Sequence, residues 1–393
     1  MPIAIGTNFS KQLVEALEAL PLVTDLYGCM PRHVVGHVRP YPNMPDLTKE
    51  QAGAHIRAVQ ATGRTFTYLL NSPSLGGRQF DSRRSEVRKH LDWVAEVGAD
   101  YVALAIPDLF PLVKKHYPQL KIKASHMTFI NTVEQARMYE DLGADLITPH
   151  ASINRQFKLL GAVRDAVSVP IQIIVTGLCA RGCPNRVSYH ACATAMLSSG
   201  MVEANQHNRH ATGYCFSFCH LKKLERPELI MMGGVRPEDI HHYEKIGVTH
   251  FKVDSRVLTT EQIVDRATAW HNQKWEGDLK RLMSVFSLGY RTWAGTQMGG
   301  GDESRPAPEE QRLNDPSQVY YSVGHTIDFD RLLVDNPAMD GVFRPFLNED
   351  CPPACKGCNK CAEVATRAIQ FDPVVKEKFM ELLKEYRRWL LNR

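Results

Sequence analysis

Two groups of cysteines carry the chemistry that is readable in this sequence. The first lies between Gly177 and Cys219, where GLCARGCPNRVSYHAC opens the stretch and YCFSFC closes it. Cys179 and Cys183 stand four positions apart, and Cys215 and Cys219 repeat that spacing after a polar insert. The second is CPPACKGCNKC, with Cys351, Cys355, Cys358 and Cys361. Thiolates are soft ligands that select zinc, copper(I) or iron–sulfur clusters. Structural zinc usually uses CxxC pairs. The wider CxxxC pairs and the long insert favour a cubane [4Fe-4S] cluster, in which each cysteine reaches a different iron. Zinc is the alternative. The C-terminal four come close to ferredoxin spacing, so a second [4Fe-4S] cluster is expected there, again with zinc as the alternative. Cys192 could replace one of the first four. Otherwise Cys192 and Cys29 read as small buried hydrophobes, the common state of a cysteine outside a site.

These thiols need elements to hold them. PIQIIVTG (170–177) runs into Cys179, and ELIMMGG (228–234) follows Cys219, so two strands are expected to bracket the loop. Further apolar, β-branched runs occur at 22–30, 66–71, 101–106, 121–126, 145–150 and 250–256, with helical patterns between them. Strand–helix alternation at this spacing means parallel strands joined by crossover helices. A closed (β/α)8 barrel over residues 1–275 is the expected fold, with the cysteine loop 177–219 at its mouth. An open doubly wound sheet is the runner-up, and no GxGxxG after the first strand supports it. Residues 276–340 read as an irregular extension that includes the Gly- and Pro-rich stretch 298–311. Residues 341–393 read as a cysteine-rich segment closed by a helix over 374–391.

A barrel places its site at the C-terminal ends of its strands. Asn71, His126, His150, Lys252, Asp254 and Arg256 fall at such ends, and Arg236 opens the loop after ELIMMGG. Read as a pocket, Arg236, Lys252 and Arg256 bind an anionic substrate with Asn71 and Asp254 beside them, while His126 or His150 moves protons near neutral pH. The plainer alternative is a structural ion-pair network at the rim, which uses the same residue types.

The chain has 393 residues, 44% hydrophobic and 23% charged, which suits a globular protein with a sizeable core. A net charge of +4 and the lack of a basic, aromatic-rich segment disfavour nucleic acid as a partner. No run of 18 apolar residues is present, so no membrane span is expected, and the N-terminus does not read as a secretory signal. The cytoplasm is the expected compartment, where ten cysteines serve as ligands or redox thiols rather than disulfides.

GLCARGCPNR with nearby Tyr189-His190, and MMGGVRPEDIHHYEKIGVTHFKVDSR (231–256), resemble segments of the U32 peptidase-like family. The resemblance runs from about 22 to 270, with the C-terminal cysteines as a further match. It implies a barrel with a cysteine-ligated [4Fe-4S] cluster. It also implies oxygen-independent hydroxylation of ubiquinone precursors or of transfer-RNA uridine, with prephenate as oxygen donor. Family cluster cysteines are more unevenly spaced than the two CxxxC pairs here, so the ligand set above is read from this chain. The sequence lacks HExxH and GxSxG, which leaves peptidase as the least favoured activity. The preferred reading is an iron–sulfur enzyme performing a redox or hydroxylase-type step on a small, anionic organic molecule. Its partner would be an electron-donor protein or a prephenate-like oxygen donor. The alternatives are a tRNA-hydroxylating enzyme and an electron-relay or structural iron–sulfur subunit.

Overall fold

Parallel strands whose outward residues are all apolar must be covered by helices, and this sequence supplies one after nearly every strand. In the computed structural model, eight strands do so: β1 (Ile3–Gly6), β2 (Val23–Gly28), β3 (Thr65–Leu70), β4 (Tyr101–Leu104), β5 (Lys121–Ala124), β6 (Leu146–Ile147), β7 (Gln172–Ile174) and β8 (His250–Val253). Each pairs in parallel with its neighbour in sequence, except that β6 and β7 meet through a single parallel bridge, Ile147 to Ile171. β8 returns to β1, with Ile3 opposite Phe251. The sheet therefore closes, and the (β/α)8 barrel is the fold of this chain. The description covers residues 1–38, 45–73, 80–177, 183, 215–230, 234–255, 258–283, 331–348, 351 and 357–392.

Helices α1 (Lys11–Ala16), α2 (Lys49–Ala61), α3 (Phe80–Glu96), α4 (Leu109–His116), α5 (Val133–Asp141) and α6 (Phe157–Ala166) coat the first six strands. The first turn of α2 is set by a capping box, in which Thr48 and Gln51 satisfy each other's backbone N–H groups. Gly98 ends α3 with φ 79°, a conformation that side chains with a Cβ resist. The outward strand residues Ile5, Leu26, Phe66, Val102, Ile122 and Phe251 are fully buried under this coat. Later elements are α7 (Leu221–Glu225), α8 (Ile240–Glu244) and α9 (Thr260–His271), the last started by a second capping box, Thr259 with Gln262.

Among the described residues, the stretch expected as a strand at ELIMMGG contributes none. ELIMMGG begins in a short 3-10 turn (Pro227–Ile230), and Gly234 makes an isolated antiparallel bridge to Thr176. β8 already occupies the place between β7 and β1, so the sheet has no edge left for another strand.

The chain ends with α10 (Arg344–Leu347), α11 (Lys360–Ala368) and α12 (Pro373–Leu391), and with the ribbon formed by β9 (Leu332–Val334) and β10 (Ile369–Phe371). β9 comes from the stretch read as irregular and pairs with β10 of the cysteine-rich stretch. The closing helix matches expectation, with Phe379 and Leu383 buried. Residues 298–311 lie outside the described residues.

The barrel interior is polar. Lys123 Nζ donates to Asp25 Oδ2 at 2.8 Å, and both side chains are buried. β2 and β5 are separated by β3 and β4 in the sheet, so the two groups meet across the lumen. Thr65 and Thr67 hydroxyls donate to Asp25 Oδ1 at 2.8 Å each, and Lys123 Nζ lies 4.2 Å from the centre of the Tyr101 ring. These contacts offset the loss of hydration that makes a bare buried charge so costly. Removing one partner leaves the other uncompensated. Lys123→Met is expected to lower unfolding stability by about 3–5 kcal/mol. The exposed pair Lys11–Glu15 is the control, and Lys11→Ala should leave the urea midpoint where it was. A Lys123→Met midpoint equal to wild type would show that the lumen pair holds nothing.

Candidate functional site at the C-terminal mouth of the barrel

Five strands run into a polar residue at the same rim: Thr7, Asn71, Ser125, Thr148 and Asp254. Asp254 N–H donates to Thr176 Oγ1 at 2.8 Å, joining the ends of β8 and β7. Ser255 Oγ donates to Gly6 O at 2.9 Å, joining β8 to β1. Asn71 Nδ2 donates to Ser125 Oγ at 3.2 Å, so the ends of β3 and β5 meet over the end of β4. Asn71 Oδ1 is buried with no hydrogen-bond partner among the described residues. His126 begins a 3-10 turn capped by the Ser125 side chain. His150, buried, caps the turn Ala151–Ile153, with Nδ1 2.7 Å from Ser152 Oγ and its ring 5.2 Å from that of Phe129. Lys252 Nζ sits 4.0 Å from the Tyr27 ring centre, below this rim. The structure thus brings Asn71, His126, His150, Lys252 and Asp254 to one end of the barrel.

Arg236 is placed differently. Its Nε and Nη2 donate to the two carboxylate oxygens of Asp239 at 2.7 and 3.1 Å. Its Nη1 donates to Asp340 Oδ1 at 2.8 Å and to Asn336 O at 2.9 Å. At 3% exposure, the guanidinium is a buried staple between the barrel and the segment around Asn336. Arg155 adds a second staple, with its guanidinium 4.9 and 5.1 Å from the Phe343 and Phe346 ring centres. Lysine retains the charge at 236 but cannot match the carboxylate with a planar fork. Arg236→Lys is therefore expected to lower the melting temperature. A variant with unchanged melting and weakened ligand binding would return Arg236 to the substrate pocket.

Of the cluster cysteines, Cys183, Cys219, Cys351, Cys358 and Cys361 are half-buried. Cys215 and Cys219 share one turn of a π-helical segment, Cys215–His220, packed against α7 and α12. Arg387 of α12 lies 4.2 Å from the Phe218 ring centre, and Phe379 flanks His220. Such segments are frequent at functional sites. Cys179, Cys192, Cys355 and Arg256 lie outside the described residues.

The rim also holds a group of which the sequence marked only Cys29, and that as a core residue. Cys29 follows β2, and His33 and His37 follow it at four-residue steps; all three are buried. One ligand atom from each lies within 4.8 Å of the others. His33 stacks on His90 of α3, with centroids 4.9 Å apart and planes 8° apart. The CxxxHxxxH spacing was the available signal, overshadowed by the longer cysteine runs.

Comparison with known proteins follows this geometry. No family model matches the chain. A curated relative, "Uncharacterized protease MJ1657" of Methanocaldococcus jannaschii, is 24% identical over 335 residues, 84% of this chain and 83% of that protein. Among solved structures, the U32 peptidase Mk0906 is 20% identical with a TM-score of 0.43, covering 51% of this chain and 78% of that one. D-psicose 3-epimerase follows at 11% identity and a TM-score of 0.32, covering 50% and 80%. The chain is thus similar to a protein named as a protease and to a U32 peptidase. Among the described residues of this U32-like protein, no helix is long and apolar enough to cross a membrane.

A second imidazole near the rim is structural. Thr7 Oγ1 accepts from Phe9 N–H at 2.9 Å and lies 2.8 Å from His55 Nε2. Gly28 is required beside it, because a Cβ there would come within 2.9 Å of Thr7 and Phe9. Desolvation pushes the His55 pKa down to about 4. The folded value lies below the unfolded one near 6.5, so the unfolded chain binds the extra proton between these values. The stabilisation is complete above about pH 6.5 and is lost as pH falls towards 4. His55 is expected to cost about 2 kcal/mol of stability between pH 7 and pH 5. Urea unfolding at the two pH values checks this. His55→Gln should flatten the difference by that amount, and an identical pH slope in the variant would refute the assignment.

Proposed function

We propose that this U32-like protein is an iron–sulfur enzyme that transforms a small anionic organic molecule at the C-terminal mouth of its barrel. The observation that carries this reading is a thiol-bearing connection that leaves β7 beside the rim residue Thr176 and returns to β8. Cys183 and Cys219 are half-buried in that connection, and Cys215 shares a turn with Cys219. Soft thiolates on a turn packed under α12 suit a bulky cluster, with Cys179 as the fourth ligand. The group at Cys351, Cys355, Cys358 and Cys361 is the candidate second centre, where Arg155 lies within electrostatic range of Cys361. A bound cluster would supply one-electron chemistry.

The chain's own residues do the rest. Asn71 Oδ1, buried without a partner among the described residues, is an acceptor aligned by the Asn71–Ser125 bond and suits a ligand hydroxyl or N–H. His150, oriented by Ser152, holds or moves a proton. Lys252 supplies positive charge from below, and Arg256 is the further cation proposed for a carboxylate. A redox or oxygen-independent hydroxylase-type step, with a donor protein or a prephenate-like oxygen donor, is the finer form of this proposal.

Peptide hydrolysis is the second reading, because the curated relative carries the name of a protease. The comparisons give no support to ranking it last, as the sequence motifs did. His55 with Thr7 is a poor base pair for it, since a pKa near 4 leaves a weak base at neutral pH.

Anaerobically purified protein is expected to carry roughly four or eight irons per chain, according to one or two cubanes. Cys183→Ala and Cys219→Ala should each remove about four of them. Asn71→Ala should keep the iron and lose conversion of the metabolite that distinguishes cells with and without the protein. Full-length protein with zinc as its only stoichiometric metal would sink the iron–sulfur reading. Cleavage of a peptide library by iron-free protein would establish the second one.

A further inference from the structure

We propose that Cys29, His33 and His37 bind one divalent metal ion of the zinc class, at a site separate from the thiols of the β7–β8 connection. The site is built by a tight loop rather than by chance proximity. Gly36, at φ 79°, turns the chain back so that its N–H meets His33 Nδ1 at 3.1 Å. His37 Nε2 lies 3.0 Å from Pro31 O. Met30 N–H donates to the Tyr68 hydroxyl at 3.2 Å, and Ser72 N–H donates to Gly36 O at 3.2 Å. Val38 then packs with Ala105, Met127 and Phe129 above the barrel mouth. The loop is thus fastened at both ends and at its middle.

Three ligand-type side chains are buried within it, their nearest ligand atoms within 4.8 Å of one another. His33 Nε2 is buried with no well-formed hydrogen bond among the described residues, only the Leu69 backbone acting on the ring. Buried ring nitrogens normally have one, and a bound ion would supply what is missing from the cluster. Zinc bonds of about 2.0–2.3 Å place tetrahedral ligand atoms roughly 3.3–3.7 Å apart, so metal binding draws the three together by about 1 Å. His37 is prepared for this. An Nε2–H donated to Pro31 O leaves Nδ1 as the ligand atom, the usual outer bond of a metal histidine. His33 must give up the Gly36 contact, because ligation through either nitrogen removes the Nδ1 lone pair from that N–H. Its ring plane is held meanwhile by the stack on His90. One thiolate with two imidazoles suits zinc, cobalt or copper rather than magnesium or calcium. Three protein ligands leave a fourth position for water or substrate, the pattern of catalytic rather than structural zinc.

Zinc added to the full-length, anaerobically purified protein tests the site by chelator competition, with iron measured in the same samples. Cys29→Ser and His37→Gln are each expected to weaken zinc binding on the order of a hundredfold while iron stays constant. Cys183→Ser should lose iron and keep this zinc. Zinc affinity unchanged in both Cys29→Ser and His37→Gln would overturn the proposal. So would loss of iron at constant zinc in Cys29→Ser, which would make Cys29 a cluster ligand. Should a variant fail to fold, zinc-edge X-ray absorption of the wild type decides alone. Nitrogen together with sulfur in the first shell upholds the site, and a sulfur-only shell or no stoichiometric zinc removes it.

Discussion

The contact between Asp25 and Lys123 across the lumen sets the character of this barrel. A (β/α)8 interior is normally filled by branched apolar side chains in layers. Here a carboxylate and an ammonium fill it, 2.8 Å apart and ringed by threonine hydroxyls and the Tyr101 face. Such a pair holds only with good geometry, since desolvation of each ion costs several kcal/mol. It therefore fixes β2 against β5 in a way that a sliding apolar contact does not. The polar interior continues upward through Lys252 over Tyr27, whose hydroxyl donates to Val253 O at 2.8 Å, into the rim of Asn71, Ser125, His150 and Thr176.

The second constraint acts at the outer edge of the barrel. Arg236 is bound by Asp239, Asp340 and Asn336 O, and Asn336 Nδ2 donates in turn to Glu238 Oε1 at 2.9 Å and Trp275 O at 2.7 Å. The segment after 331 is thereby locked to the loop that precedes α8. Arg155, buried under Phe343 and Phe346, extends that lock towards Cys361. The C-terminal cysteines are thus carried on a part of the chain that is tied to the barrel by charge and aromatic packing. Four of the five N–H donors of Arg236 are used this way, so a residue whose position suggested a pocket cation is packed as a staple.

Much of the architecture was legible beforehand because it rests on local signals. Apolar, β-branched runs marked the strands, and helical patterns between them marked the covering helices. ELIMMGG misled because a short apolar run has the same pattern whether it enters a sheet or packs as a turn. Only the count of places in a closed sheet excludes it. The rim residues Asn71, His126, His150 and Asp254 were located because strand ends are local features. Their partners, Ser125, Ser152 and Thr176, were not, because these bonds join strands or turns whose registers the sequence does not reveal.

Composition and spacing determined the fold class, the helical cover and where the cysteine-rich stretches of this protein lie. Those properties depend on neighbours in the chain. Tertiary structure decided which charges are spent on holding the molecule and which face the mouth. It paired Asp25 with Lys123 from strands 98 positions apart and Arg236 with Asp340 from 104 positions apart. It also turned Cys29 from a small core residue into the neighbour of two buried imidazoles. Burial and proximity are properties of the closed barrel, and no window of sequence contains them.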